Sequence, residues 1–422
     1  MTELEIGTVT SADPRGGIFV HSSAYADQET WHATAKELRD EQPCLLVEAE
    51  GFRPFYALTR HEDVFHVSRN NATFLNTRDS VLGPELQFEM LKAMGVDPKT
   101  LIHMDGAEHD DHRALANPYF RPTAVAKRQE GIDAIAAEFV QRMKDMGGEC
   151  DFAQDIAVPY TLRVIMSIYG VPEEDEATML RLTQGLFGAA DPEYLGDFTD
   201  PFEMVQGTIK QFEEYFDGIT KDRQANPRDD LASLIANGEV NGCPMDHHAQ
   251  LWYYIIVATA GHDTTSFALS GGMHNLITNP GEMAKLQADP GLLVTAVDEM
   301  IRLSSPVRHF MRYPTQAVSF HGVEIPEGSR ILLSYPSANR DDRMFEDPMD
   351  FKVDRENAPR MISFGGGDHF CLGSTFARRE LRTIIPKLMA SISSIELAGD
   401  PEWSEAAFVG GLKHLPVKAS FR

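Results

Sequence analysis

The amino-acid sequence predicts a mainly α-helical protein that carries small β-sheets. Helical periodicity dominates from Gly106 to about Met300, whereas strand-like runs are short and lie towards the two ends of the chain. The apolar segment 246–277 is longer than most helices of globular proteins, so we expect it at the centre of the fold. The 422 residues show neither internal repeats nor a linker. We therefore assign 1–422 to a single domain, with 1–40 as an N-terminal extension.

The predicted elements follow in order along the chain. Strands are expected at 44–49 and 55–58, and helices at 61–68, 107–118, 124–146, 157–169, 173–187, 203–223 and 246–277. Further strands are expected at 317–320, 323–325 and 330–335, followed by a meander at 341–361, a helix that follows Cys371 and runs to about 391, and short β pieces at 408–417. The stretch 76–101 is mostly irregular, and connections of that length are more often functional than idle.

Charge and cysteine usage argue against several classes of protein. The formal net charge of −26 disfavours nucleic acid or an anionic membrane surface as a partner. The four cysteines lie far apart without a CxxC pair, which fits a reducing compartment better than a disulfide framework. The N-terminus lacks the features of a signal peptide, and the most apolar run, 251–261, is too short to span a bilayer. We expect a cytoplasmic monomer that binds neither nucleic acid nor membrane.

The segment 364–373 joins a glycine-rich turn to a single cysteine, in the pattern Phe-x-x-Gly-x-x-x-Cys-x-Gly. Glycines let a flat partner approach the backbone closely. Cys371 lies just ahead of a predicted helix, whose free N–H groups and dipole favour a thiolate. Such a thiolate is a strong axial donor to iron. The alternative is an unreactive buried thiol beside an ordinary turn, so other motifs have to decide.

The second motif lies inside the long predicted helix, where Ala260 is followed by Gly-His-Asp-Thr-Thr. Glycine, an acid and two β-branched hydroxyl residues are poor choices for a helix interior. A hydroxyl that bonds back to the preceding turn can open the helix locally and leave a groove. The alternative is an Asp-Thr pair on a solvated face, but the apolar segment 251–260 before it argues against that.

Two charge patterns complete the set. His109 and Arg113 are four residues apart, and Glu299 and Arg302 are three apart, so each pair shares one face of a helix. Arginine suits carboxylates because its guanidinium is a planar fork. The alternative for both pairs is a charged, solvated surface, where ion pairs contribute little.

Together these motifs resemble the cytochrome P450 family, in the order that the family has them. The resemblance implies the P450 fold, with the long helix over a haem b group, O2 as a reactant and Cys371 as the iron ligand. It places Asp263 in proton relay and Thr264 in oxygen activation, and it makes Glu299, Arg302 and Arg355 a structural brace for the cysteine loop. The remaining cofactor contacts that it implies are His109, Arg113, Ala260, Arg312, Phe364, Gly365, His369 and Gly373. His112 and His262 receive no role from the resemblance.

The resemblance also implies a substrate pocket and a redox partner. The matched pocket positions are Ile256, Thr259, Ala260, Val307, Phe310, Phe408 and Val409, although such residues are also ordinary core residues. Several segments are similar to the bacterial branch that includes the α-terpineol monooxygenase, so we expect a small terpenoid or alkyl-aromatic substrate. Electrons are expected from a ferredoxin and its NAD(P)H-dependent ferredoxin reductase. The alternatives are a larger substrate (steroid, fatty acid or polyaromatic) and a peroxide-using haem-thiolate enzyme.

Overall fold

Helices make up most of the architecture and occupy the regions that the sequence predicts. The structure, a computed structural model, describes residues 7–77, 79–93, 95–187, 191, 193 and 201–422. The helices are α1 (Gly17–Val20), α2 (Gln28–Glu41), α3 (His61–Arg69), α4 (Glu85–Ala93), α5 (Gly106–Phe120), α6 (Pro122–Ala126), α7 (Gln129–Asp145), α8 (Val158–Tyr169), α9 (Glu176–Phe187), α10 (Pro201–Ala225), α11 (Leu231–Ala236), α12 (His247–Thr278), α13 (Pro280–Ala288), α14 (Leu293–Ser304), α15 (Tyr335–Ala338) and α16 (Ser374–Ser391). The strands are β1 (Cys44–Ala49), β2 (Phe52–Leu58), β3 (Phe74–Leu75), β4 (Glu149–Asp151), β5 (Glu239–Val240), β6 (Cys243–Pro244), β7 (His309–Pro314), β8 (Val318–Phe320), β9 (Val323–Ile325), β10 (Ile331–Ser334), β11 (Ile392–Leu397), β12 (Glu402–Trp403), β13 (Leu412–His414) and β14 (Pro416–Phe421).

Helix α12 is the long central helix that the sequence predicts. Asp246 caps its N-terminus, since the carboxylate accepts from the amide of Ala249 at 2.7 Å. Pro280 follows two residues after its last turn, where a proline is common because it cannot continue the helix. Buried side chains occur on every side of α12, which is the pattern of a helix enclosed by its neighbours.

Glycines allow two neighbouring helices to approach α12 closely. A Cβ added at Gly261 would lie 2.7 Å from the side chain of Ile165 on α8. One added at Gly272 would lie 2.8 Å from the sulfur of Met300 on α14. Both distances are shorter than real carbon contacts, so a larger residue would force these helices apart.

A mixed five-stranded sheet packs beside the helical part, with the strand order β1-β2-β10-β7-β3. Strand β10 runs parallel to β2, and the other neighbouring pairs are antiparallel. One side of this sheet buries Phe55, Met311 and Leu332 together with Trp31 and Leu38 of α2. The sheet thereby fixes the position of β7, which carries two of the predicted site residues.

The structure differs from the predicted elements in several places. Helix α2 lies within the predicted extension 1–40; its apolar stripe of Trp31, Ala35 and Leu38 is narrow, so its polar composition hides it. Strand β7 was not predicted, because the sequence there mixes charged and aromatic residues. No helix of the described residues is long and apolar enough to cross a membrane.

Candidate active site

A deep cavity lies between α12, β7 and the segment that contains Cys371. Its volume is about 240 Å³, whereas that of a neighbouring cavity is about 30 Å³. Most of the predicted site residues line it, namely His109, Arg113, Ile256, Ala260, Thr264, Val307, Phe310, Arg312, Phe364, Gly365, His369, Cys371, Gly373, Phe408 and Val409. Residues that are far apart in sequence thus meet around one space.

The segment before Cys371 is held in a tight loop. Gly365 and Gly367 have φ values of +67° and +63°, a backbone region that other residues rarely adopt. A Cβ at Gly367 would lie 2.8 Å from the carbonyl oxygen of Ser68, so α3 packs directly on this turn. The amide of Cys371 donates to the carbonyl of Phe364 at 2.8 Å and closes the loop.

The thiol of Cys371 lies at the wall of the cavity beside the start of α16. Burial raises its pKa, which is opposed by hydrogen bonds from the amides of Gly373 and Ser374 and by the positive charges of Arg113 and Arg378. These groups all favour the thiolate, and a coordinating metal ion deprotonates a thiol outright. The surroundings of Cys371 therefore suit a thiolate ligand to iron.

Four predicted donors gather on one side of the same cavity. The rings of His109 and His369 lie 4.2 Å apart between centroids. Arg312 is 1% exposed, and its described hydrogen bond runs from Nη1 to the carbonyl of Met311 at 2.8 Å. In the described chain, Nε of Arg312 and Nε2 of His109 are buried without an acceptor. Buried donors of this kind require an anionic partner, and the two propionates of haem b fit that requirement.

Helix α12 presents Thr264 to the cavity. Its hydroxyl donates to the carbonyl of Ala260 at 3.0 Å, the back-bond that the sequence suggests, and the helix stays continuous through this turn. Because the hydroxyl proton is committed to that carbonyl, the oxygen of Thr264 is left as an acceptor towards the cavity.

Asp263 lies on the other side of α12, in the smaller neighbouring cavity with Gln154, Gln184 and Lys413. Its Oδ1 is 3.1 Å from Nε2 of His262, and its Oδ2 is buried without a partner among the described residues. Burial raises the pKa of Asp263, and His262 opposes this. The acid and the alcohol are therefore adjacent in sequence but open onto different cavities.

Thr259, which was predicted to line the pocket, and His112, which was given no role, do not line the main cavity. Thr259 is a correction to the predicted pocket, because its hydroxyl donates to the carbonyl of Ile255 at 2.7 Å and the residue is buried outside the cavity wall. His112 is held by its own helix, with Nδ1 at 2.8 Å from the carbonyl of Glu108.

Glu299, Arg302 and Arg355 meet in a buried network below the cavity. The carboxylate of Glu299 accepts from Nε and Nη2 of Arg302 at 2.6 and 2.7 Å, and from Nε of Arg355 at 2.9 Å. Both oxygens of the acid are thus satisfied. All three side chains are buried, so this is a structural network and not the solvated pair that the sequence left open.

Sequence reasoning missed two acids near the cavity. Asp105 precedes α5, and its carboxylate accepts from the amides of Asn76 and Thr77 at 2.9 and 2.6 Å, which pins the loop beside His369. Glu380 lines the cavity from α16, and burial raises its pKa well above the usual value. The position of Glu380 on the apolar face of the predicted helix is the sequence feature that could have indicated a buried acid.

A half-buried cysteine at the cavity wall, a cluster of donors suited to two carboxylates and the long helix beside them are the features of a haem-thiolate enzyme. Residues 14–290 and 291–404 match the sequence profile of the family described as Cytochrome P450. The chain therefore belongs to the cytochrome P450 family. It is an oxidoreductase, a P450 monooxygenase, and its cofactor is haem b.

Comparison with individual proteins agrees with this assignment. The chain is 38% identical to Cytochrome P450-terp of a Pseudomonas species over 405 residues, which cover 93% of this chain and 94% of that protein. It is 32% identical to the steroid C26-monooxygenase of Mycolicibacterium smegmatis over 379 residues, covering 87% and 92% of the two chains. The crystal structure of CYP108D1 from Novosphingobium aromaticivorans matches with a TM-score of 0.89 at 37% identity, covering 97% and 98%.

The buried donor cluster generates a prediction about haem retention. Replacing Arg312 by Gln removes a guanidinium that has no other anionic partner, and hydrogen bonds to charged groups contribute roughly 1.5–3 kcal/mol. We expect haem to transfer to an apo-globin acceptor about tenfold faster or more. The control is Arg360→Gln, which removes an exposed arginine. Equal transfer rates for both variants, at unchanged circular dichroism, would contradict the assignment.

Proposed function

We propose that this P450 hydroxylates a small hydrophobic compound of terpenoid or alkyl-aromatic type, with electrons from a separate ferredoxin. The observation that carries the substrate proposal is the apolar wall opposite the Cys371 side of the cavity. Bound haem with a thiolate ligand supplies the oxidation, in which O2, two electrons and two protons convert a C–H bond to an alcohol and release water. The side chains of this protein then have to orient the substrate and deliver the protons.

Proton delivery is assigned to Asp263 and Thr264. The raised pKa of Asp263 lets its carboxyl hold a proton under conditions in which a free aspartate has lost it. It lies with Gln184 and Lys413 in the neighbouring cavity, so protons would reach it from a side separate from the substrate. Thr264 offers a hydroxyl oxygen on the substrate side, so a proton passes from one side of α12 to the other.

The test is Thr264→Ala in the haem-loaded enzyme with its redox partners. Loss of the hydroxyl is expected to leave substrate binding intact but to lower product per NAD(P)H about tenfold or more, with hydrogen peroxide formed instead. Thr278→Ala is a matched control on the same helix, since Thr278 makes the same back-bond at its far end. Unchanged coupling in Thr264→Ala would contradict the proposed role. Full activity with peroxide alone would favour the peroxide-using alternative.

The substrate wall is built from two segments that pair with each other. Val307 and Val409 form an isolated antiparallel bridge, and the rings of Phe310 and Phe408 lie 5.4 Å apart in an edge-to-face arrangement. Ile256 contributes from α12. Because apolar burial contributes about 25 cal/mol per Å², a hydrocarbon-rich substrate gains most from this wall. Selectivity then depends on shape, which discriminates poorly between close homologues.

The substrate prediction is tested with a panel of monoterpenoids, alkylbenzenes, fused aromatics, fatty acids and steroids. We expect several monoterpenoids or alkylbenzenes to shift the ferric haem from low to high spin and to yield hydroxylated products. Cytochrome P450-terp and the steroid C26-monooxygenase are both relatives, so the panel has to separate small from large substrates. Tight and exclusive binding of a steroid or a long fatty acid would overturn the small-substrate proposal and leave the haem chemistry intact.

Electron entry is assigned to the face of the molecule behind Cys371. Despite the net charge of −26, basic residues cluster there, and Lys127 is exposed and Arg379 partly exposed. Arg378 is partly neutralised, since its Nε is 2.6 Å from Oδ1 of Asp298. The other basic residues that the sequence assigns to this face are Arg113, Arg128 and Arg382. A positive patch of this kind complements an acidic ferredoxin.

Charge reversal tests this docking face. Arg379→Glu is expected to raise the KM for an acidic ferredoxin several-fold at low salt, and the difference should shrink at high salt because salt screens the interaction. Lys210→Glu, on exposed α10, is the control and should leave the KM unchanged. An equal effect of both variants would mean that only net charge matters, which would contradict a defined docking face.

A further inference from the structure

A second set of buried cations surrounds a small closed cavity outside the active site. The cavity lies between α2, the end of α14, α15 and the segment 403–411, and it shares no lining residue with the main cavity. Its volume is about 10 Å³, which is about the space that a single water molecule or ion of similar size needs. The polar side chains that matter in its wall are His32, Ser304, Arg308 and Arg340.

Two guanidinium groups in this wall lack a counter-ion. Arg340 is 7% exposed and donates from Nη2 to the carbonyl of Leu303 at 2.6 Å, but its Nε and Nη1 are buried with no acceptor in the described chain. Arg308 is 3% exposed, donates to the carbonyls of Ser404 and Ala406, and lies over the ring of Tyr25. No carboxylate of the described residues forms an ion pair with either group. Carbonyl groups satisfy hydrogen bonds but leave the charge uncompensated.

Both arginines remain charged at neutral pH. Burial lowers the pKa of Arg308 to about 10 and that of Arg340 to about 9. The acid that acts most on Arg340 is Glu299, whose oxygens are already taken by Arg302 and Arg355. The cavity therefore carries an excess of positive charge that no nearby side chain removes.

Two neutral groups add donors to the same wall. Burial and the neighbouring arginines lower the pKa of His32 well below its usual value, so its ring is neutral and carries one N–H. In the described residues, Nδ1 of His32 and the hydroxyl of Ser304 are buried without a hydrogen-bond partner. A buried donor without an acceptor is costly, and here several of them line one space.

We propose that this cavity binds a single chloride ion. A monatomic anion accepts from several N–H and O–H groups at once and compensates the charge, whereas a water molecule brings two further hydrogens and no charge. The volume leaves no room for sulfate, phosphate or a carboxylate ligand. The ion would join α2, the end of α14 and the segment 403–411, and through Arg308 it would support the strand pairing that holds Phe408 at the substrate wall.

Crystals of the haem-loaded enzyme grown in sodium bromide test the site directly. Bromide replaces chloride in such a cavity and is located by its anomalous scattering. We expect an anomalous peak between Arg340, Arg308 and His32. A water molecule without anomalous signal, or an empty cavity, would overturn the proposal.

Thermal unfolding of the holoenzyme gives an independent test in solution. After exhaustive dialysis into gluconate, adding chloride at constant ionic strength should raise the Tm by about 3 °C and saturate, as expected for a ligand that binds the folded state. Arg340→Met should abolish this chloride dependence. Arg343→Met is the control, because Arg343 is three residues away but is partly exposed and has acidic partners in Asp40 and Asp341.

Either of two thermal results would contradict the site. One is a wild-type Tm that is the same in chloride and in gluconate, and the other is a chloride dependence that persists in Arg340→Met. If Arg340→Met does not fold, the bromide crystals decide the question, because they use the unmodified protein.

Discussion

The buried carboxylate of Glu299 is the interaction on which the position of the active-site cysteine depends. It binds Arg302 and Arg355, and Arg302 in turn donates to the carbonyl of Asn339 at 2.7 Å. The side chain of Asn339 accepts from the amide of Ile362 at 2.7 Å and donates to Ser363, two residues that lead directly into the cysteine loop. A continuous hydrogen-bonded path thus connects α14 to the residues that lead into the cysteine loop. Removing one partner of such a buried pair leaves an uncompensated charge, so the network is expected to act as a unit.

Helix α12 divides the chemistry into two compartments. On one side Thr264 opens onto the large apolar cavity, and on the other Asp263 opens onto a smaller one that also contains Gln184 and Lys413. The helix itself is the barrier, since it is continuous and packed on all sides. The proton delivery proposed for Asp263 would therefore be kept apart from the apolar substrate side, with Thr264 as its neighbour on that side. This separation explains why an acid with a raised pKa is tolerated inside an otherwise apolar helix.

Uncompensated guanidinium groups mark the places where the polypeptide is incomplete without a small anion. Among the described residues Arg312 forms no ion pair with an acidic side chain, and the propionates of bound haem would supply the missing charge. Arg340 is in the same situation in a separate cavity, whose volume is too small for a polyatomic anion. The two sites follow one rule, which is that buried charges are paired. Because the protein carries a net charge of −26, acidic side chains are abundant, and a buried arginine without one indicates a site for another anion.

The sequence by itself determined the class of fold, the P450 family and the cysteine loop, because these depend on local spacing. A helix of more than 30 residues, a Phe-to-Cys pattern over 364–373 and pairs three or four residues apart are all properties of neighbouring residues. Only the tertiary structure decided which face of α12 meets the cavity, and therefore that Thr259 is buried elsewhere and that Asp263 opens onto a different space. Adjacent positions on a helix point about 100° apart, so this assignment depends on how neighbouring helices set the rotation of α12. The meeting of Arg312 with His109, and the isolation of Arg340, likewise arise from contacts between distant segments, which no local pattern encodes.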